Sequence, residues 1–152
     1  MANASTPHIE VQFAVSRRGV PSAQRLRAWA QSAIAQATVS RGYSLCIRIV
    51  GTQESRKLNR EWRGKDKPTN VLSFPYSEQE GLQGDLAICA AVVAREAREQ
   101  GKPLSAHWAH MVVHGVLHLQ GYDHVNSRDA KRMEAREVVI LSQFGYQDPY
   151  VI

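Results

Sequence analysis

Five of the chain's six histidines, His107, His110, His114, His118 and His124, fall between residues 107 and 124. This run constrains the fold more than any other feature. His114 and His118 are four residues apart, so on a helix both imidazoles leave one face about one turn apart. Gly121 follows, and a residue without Cβ can take positive φ, end the helix and turn the chain. That turn carries His124 back toward the first pair. Three neutral imidazoles around one point leave a fourth position open, as in a catalytic zinc site rather than a closed structural one. His110, His114 and His118 form a rival trio. A straight helix spreads them over two turns, about 12 Å of rise, too far for one ion with ligand bonds near ~2 Å. His110 is read as supporting the ligands from behind or as packing.

Metzincin proteases share this spacing, but their motif carries a Glu directly after the first His as general base. Gly115 stands there in this chain. Glycine has no group that takes a proton, so the ligand set is protease-like and the protease base is missing.

With 152 residues, 43% of them apolar, the chain is expected to form one domain, 1–152, with a real core. No apolar run approaches the ~20 residues of a membrane span. The opening Met-Ala-Asn-Ala-Ser-Thr-Pro has neither the basic start nor the apolar stretch of a secretory leader. The expectation is a cytoplasmic protein with no membrane partner. Cys46 and Cys89, in apolar strand-like segments, are expected to be buried reduced thiols. The net charge of +5 is a moderate basic bias that fits a polyanion such as RNA and also a merely soluble protein.

Residues 9–15 alternate apolar and polar, as a half-buried strand does. Pro21 opens a helix to about residue 38, with Leu26, Trp29, Ala33 and Ala37 at helical spacing. Residues 44–50 form a second strand. Thr52 is the expected N-cap of a helix through Trp62. A polar loop, 63–70, precedes a short strand from Val71 to Phe74 that Pro75 stops. After a loop with Gly81 and Gly84, residues 85–90 form a fourth strand, opened by Asp85 as a turn residue. A helix then runs to Gly101. The histidine helix covers 104–120, and a last helix covers 127–144 with Ala130, Met133, Leu141 and Phe144 on its apolar side. The order β-α-β-α-β-β-α-α-α predicts an α+β (mixed α/β) domain. A four-stranded mixed sheet packs against helices, and the metal site lies on the histidine helix and its following turn.

A second constellation precedes the third strand. Arg56, Lys57, Arg60, Arg63, Lys65 and Lys67 face only Glu61 and Asp66. On charge alone this is a solvated helix face as readily as a binding site. Arg63, however, offers a planar fork for phosphate oxygens, and Lys65 and Lys67 add point charges. A cleaved phosphodiester needs such groups, since charge builds on its non-bridging oxygens. Arg60, Lys65 and Lys67 are candidate RNA contacts. Asp123 either orients an imidazole or a water or caps the turn at Gly121. Trp62, Phe74, Tyr76 and Trp108 are able to stack on bases, but their regular positions favour a core role for most of them.

Three segments together resemble the bacterial YbeY family: Leu58-Asn59 through Arg63-Gly-Lys-Asp-Lys-Pro-Thr-Asn-Val-Leu-Ser-Phe-Pro75, then Gly84-Asp-Leu-Ala-Ile-Cys89, then His107 to His124. The closing Gly145-Tyr-Gln-Asp-Pro-Tyr150 fits as well. The resemblance covers roughly residues 44–150. It implies a single-strand-specific, metal-dependent endoribonuclease with one zinc ion. It also implies action in maturation of the 16S ribosomal RNA 3′ end, in 70S assembly and in ribosome quality control. The implied partners are 16S ribosomal RNA, the small subunit with its proteins, and a ribosome-assembly GTPase. Carried over residue by residue, His114, His118 and His124 are the ligands and Arg63 the catalytic arginine.

Competing classes make different predictions. An RNA-binding assembly factor with a structural zinc and little nuclease activity would unfold on His114→Ala, whereas an open catalytic site would lose activity and keep its fold. A metalloprotease would degrade denatured protein in a chelator-sensitive way. A small-molecule hydrolase would be saturated by nucleosides in place of RNA.

Overall fold

The computed structural model describes residues 8–76 and 82–151. The opening Met1–Pro7 and the glycine at position 81 lie outside the described residues. Four strands form one mixed sheet: β1 (His8–Phe13), β2 (Tyr43–Val50), β3 (Val71–Pro75) and β4 (Leu82–Cys89), in the order β1-β2-β4-β3. β1, β2 and β4 run parallel, and β3 lies antiparallel to β4. Six helices accompany them: α1 (Ala23–Ser32), α2 (Gln36–Arg41), α3 (Thr52–Arg63), α4 (Ala90–Gln100), α5 (Leu104–Leu119) and α6 (Ser127–Ser142). The expected α+β architecture with a four-stranded mixed sheet is what the chain forms.

Strand alternation divides the sheet into two chemistries. Leu45, Ile47 and Ile49 of β2 are paired in register with Gly84, Leu86 and Ile88 of β4. This face packs on α1 and α5 in the main core, which also takes Leu26, Trp29, Trp108, Val112, Val116, Met133 and Leu141. The opposite face carries Glu10, Gln12, Cys46, Arg48 and Asp85, and α3 flanks it.

Helix α5 sits unusually close to the sheet. A methyl group at Gly115 would lie 2.7 Å from Leu86 Cδ2, and one at Gly84 would lie 2.7 Å from Leu119 Cδ2. Each element thus offers a glycine to the other's leucine. Ser73 Oγ donates to the Gly115 carbonyl at 3.2 Å and ties β3 to the same turn of helix. The position that holds a carboxylate in metzincins therefore faces Leu86 and Val71 in the core, not the metal face.

Several expectations change. The helix expected over 21–38 is two helices. Gln120, just past α5, accepts from Ala35 N at 2.8 Å and donates to Ala33 O at 2.6 Å, which satisfies the backbone at the break. Ser22, not Pro21, starts α1, accepting from Arg25 N. Gly51 rather than Thr52 is the N-cap of α3. Gly84 belongs to β4 rather than to a loop, and Asp85 is a mid-strand residue opposite Cys46 and Phe74. Cys89 is buried, but Cys46 is only half-buried on the polar sheet face; both are free thiols. Helix α6 ends at Ser142, and Phe144 lies beyond it, 38% exposed, off the apolar stripe.

Candidate metal centre and RNA cleft

Helix α5 supplies His114 and His118 from its last turns. Gly121 N–H donates to the His118 carbonyl and Tyr122 N–H to that of Leu117, with Gly121 at φ 95°. Asp123 Oδ1 accepts from the His124 backbone N–H at 2.7 Å and holds the returning chain. One oxygen of the carboxylate serves the turn, and its charge also reaches His118. Imidazole centroids are 4.8 Å apart for His114–His118, 5.0 Å for His118–His124 and 5.7 Å for His114–His124. One ligand nitrogen from each lies within 4.8 Å of the others, a group able to hold a metal ion.

The donor chemistry suits such an ion. Burial, reinforced by the neighbouring His114 and His124, holds the His118 pKa down to about 4, so its imidazole is neutral at pH 7. His114 is set by a residue that sequence reasoning missed. Glu137 of α6 is fully buried, and its Oε2 lies 3.0 Å from His114 Nδ1 and 2.8 Å from His110 Nε2. Tyr150 O–H donates to Oε1 at 2.6 Å. Burial works to raise the Glu137 carboxyl, but the hydrogen bonds from His110 and His114 outweigh it and hold its pKa at about 2. An ionised carboxylate only accepts, so His114 Nδ1 and His110 Nε2 carry the protons. His110 Nδ1 has no hydrogen-bond partner among the described residues, which agrees with that tautomer. His114 is left with Nε2 as its free lone pair, the tautomer a metal requires. His110 thus reaches His114 through Glu137, and one ligand atom from each of His110, His114 and Glu137 also lies within 4.8 Å of the others. A signal for Glu137 was present in the sequence: an acid spaced four residues from both Met133 and Leu141, inside the apolar stripe of α6.

Arg63, the last residue of α3, lines the same cleft of about 410 Å³ as His114, His118, His124 and Glu134. It is close enough for its charge to help depress His118. Gly64 caps the helix at φ 70°, its N–H donating to Arg60 O. The basic loop that follows is pinned rather than loose. Asn59 Nδ2 donates to Lys67 O at 2.8 Å, and Ser55 Oγ bonds both Thr69 N and Thr69 O. Arg56 pairs with Asp66 at 2.7 Å, and Arg60 reaches the same carboxylate at 3.7 Å. Lys65 and Lys67 are exposed and do not line the cleft. Of the aromatics, Trp108 is core at 1% exposure, but Trp62 is 68% and Tyr76 55% exposed, against the expectation of a core role.

Comparison with known proteins gives one family. The family model described as Endoribonuclease YbeY matches residues 11–145. A protein named Endoribonuclease YbeY from Nitrosomonas eutropha is 49% identical over 142 residues, 93% of this chain and 97% of its own length. One of the same name from Chromohalobacter salexigens is 50% identical over 151 residues, 95% of this chain and 98% of its own length. A Thermotoga maritima protein solved in solution is similar in fold, with a TM-score of 0.60 at 22% identity, covering 95% of this chain and 99% of that one. The histidine run, the basic loop and strands β2, β3 and β4 fall inside the matched span, and the chain belongs to the Endoribonuclease YbeY family.

Proposed function

We propose that residues 1–152 form one single-strand-specific, metal-dependent endoribonuclease domain. His114, His118 and His124 hold one zinc ion, and Arg63 is the catalytic arginine. The observation that carries this reading is the convergence of three imidazoles and Arg63 on one cleft, in a chain whose relatives bear the endoribonuclease name. A zinc ion bound there would supply Lewis acidity toward a phosphate oxygen or a water. Arg63 places a guanidinium where negative charge grows on the phosphodiester. Glu137 fixes the His114 tautomer and is fully engaged by its three donors. Gly115 faces the core, which closes the protease route. Among described carboxylates lining the cleft, Glu134 is left to take a proton, because Glu137 is already committed.

The biological setting in this reading is the cytoplasm and late ribosome biogenesis: 16S 3′-end maturation and 70S quality control. Ribosomal RNA, small-subunit proteins and an assembly GTPase are the partners. No described helix is long and apolar enough to cross a membrane. Arg63→Ala tests the catalytic assignment. It should reduce RNA cleavage at least about 100-fold, on the scale of lost transition-state contacts, while the thermal midpoint stays within about 2 °C. Unchanged cleavage would remove the arginine from the mechanism. Mapping the new termini then identifies the nucleophile, since a 2′,3′-cyclic phosphate means attack by the ribose hydroxyl.

A further inference from the structure

The polar face of the sheet is a second, larger feature that the metal centre does not use. Between α3 and β3 it forms a groove of about 850 Å³, within the ~300–1,000 Å³ of sites that enclose small organic ligands. Arg63 and Ser73 line both this groove and the metal cleft, so the two spaces border the same arginine. Trp62, next to Arg63 in sequence, stands in the groove wall with 68% of its surface exposed. Phe74 braces the indole edge-on, with centroids 5.8 Å apart at 69°, which leaves ring surface open.

The charge of the groove decides what part of an RNA it accepts. Its lining carries three carboxylates, Glu10, Glu54 and Asp85, against two arginines, Arg48 and Arg63. Arg48 and Glu54 neutralise each other at 2.7 Å, which leaves Glu10 and Asp85 against Arg63. Such a floor repels phosphates. Glu10 and Asp85 present acceptors, and every base edge carries at least one N–H donor beside its own acceptors. A strand that leaves Arg63 along this groove keeps its backbone at the rim and turns a base inward.

We propose that the groove holds an unpaired RNA base next to the scissile phosphate, its face stacked on Trp62 and its edge toward the acceptor-rich floor. The proposal rests on the endoribonuclease reading and deepens it. A duplex buries base faces and pairing edges, so only a single strand fills the groove. The single-strand requirement then originates here rather than at the metal.

Trp62 also reports on the groove. The other two tryptophans, Trp29 and Trp108, are 2% and 1% exposed, so quenching by acrylamide reads Trp62. The experiment uses zinc-loaded protein and a short single-stranded 2′-O-methyl oligoribonucleotide, alone or annealed to its complement. The single strand should quench Trp62 emission and shield it from acrylamide, and the duplex should do neither. In cleavage assays Trp62→Ala should raise KM about tenfold, within the ~5- to 100-fold span of base–aromatic stacking, with far less effect on kcat. Trp62→Phe should stay within about threefold of wild type. RNA cleavage with Trp62 emission unmoved by oligonucleotide, or an unchanged KM in Trp62→Ala, would overturn the proposal and leave the groove to a protein partner. Quenching by the single strand in a protein that cuts no RNA would uphold the groove and defeat the nuclease reading alone.

Discussion

At Glu137 a full negative charge sits in the protein interior, a placement that costs several kcal/mol unless donors surround it. His110, His114 and Tyr150 supply those donors, and the arrangement orients the imidazole of His114, a proposed metal ligand. Glu137→Gln keeps the shape but loses the charge that selects the His114 tautomer. We expect zinc affinity to fall about 10- to 100-fold, as for other carboxylates that orient metal-bound histidines, read by competition with a chromophoric chelator. Unchanged affinity would show that His114 needs no such anchor. The convergence of the three histidines was legible in the sequence because helix geometry and one glycine turn are local. Glu137 was harder to see, because its partners lie 23 and 27 residues away on another helix.

The helix that carries the histidines is positioned by reciprocal contacts with β4. Leu86 rests on Gly115 and Leu119 on Gly84. Gly115→Ala gains about 1 kcal/mol of helix propensity but forces a methyl group into the packed Leu86–Val71 contact, which costs about 1–3 kcal/mol. A net loss of up to about 2 kcal/mol should lower the thermal midpoint by up to about 8 °C. A rise in the midpoint would mean the interface has slack. Gly121→Ala acts differently, because nothing lies within 4 Å of the added methyl while φ is 95°. It should cost about 1–2 kcal/mol through backbone strain and weaken zinc binding by displacing His124. Hydrophobic period and turn residues made element type readable nearly throughout. They failed where the deciding contact was remote. Gln120 breaks the α1–α2 segment from 85 residues away, and Gly84 reads as a loop glycine until Leu119 is seen to need its space.

Across the whole molecule, acid should act in two steps with one sign. Burial and the adjacent histidines hold His118 at about 4 against an ordinary 6.5, and donors hold Glu137 at about 2 against 4.5. In each case the unfolded chain takes up a proton at higher pH than the folded chain does. Stability is therefore complete above the unfolded value and drains away as pH falls through the folded one. Metal-free protein should lose stability between about pH 6.5 and 4 through His118 and between about 4.5 and 2 through Glu137, measured as urea midpoints. His118→Asn should shrink the upper step, leaving the share of His107, whose burial also holds its imidazole below the ordinary value, and spare the lower. The sheet topology and the joining of Arg63 to the histidines belong to this scale, and neither is local. The basic loop and the histidine run are about 50 residues apart in the chain, and only β3, packed beside α5, brings them to one cleft. The exposed Trp62 was misread for the same reason, since helical spacing alone does not show which face the sheet leaves open.

The central claim is that the three-histidine centre cuts RNA. The most direct measurement takes metal-stripped protein, restores it with zinc, and presents a single-stranded ribosomal RNA fragment spanning the mature 16S 3′ end, with folded His114→Ala as control. Cleavage should appear with zinc and vanish in the variant while its circular dichroism is retained. Intact RNA after incubation with folded, zinc-loaded protein, on the fragment and on 30S and 70S particles alike, would contradict it.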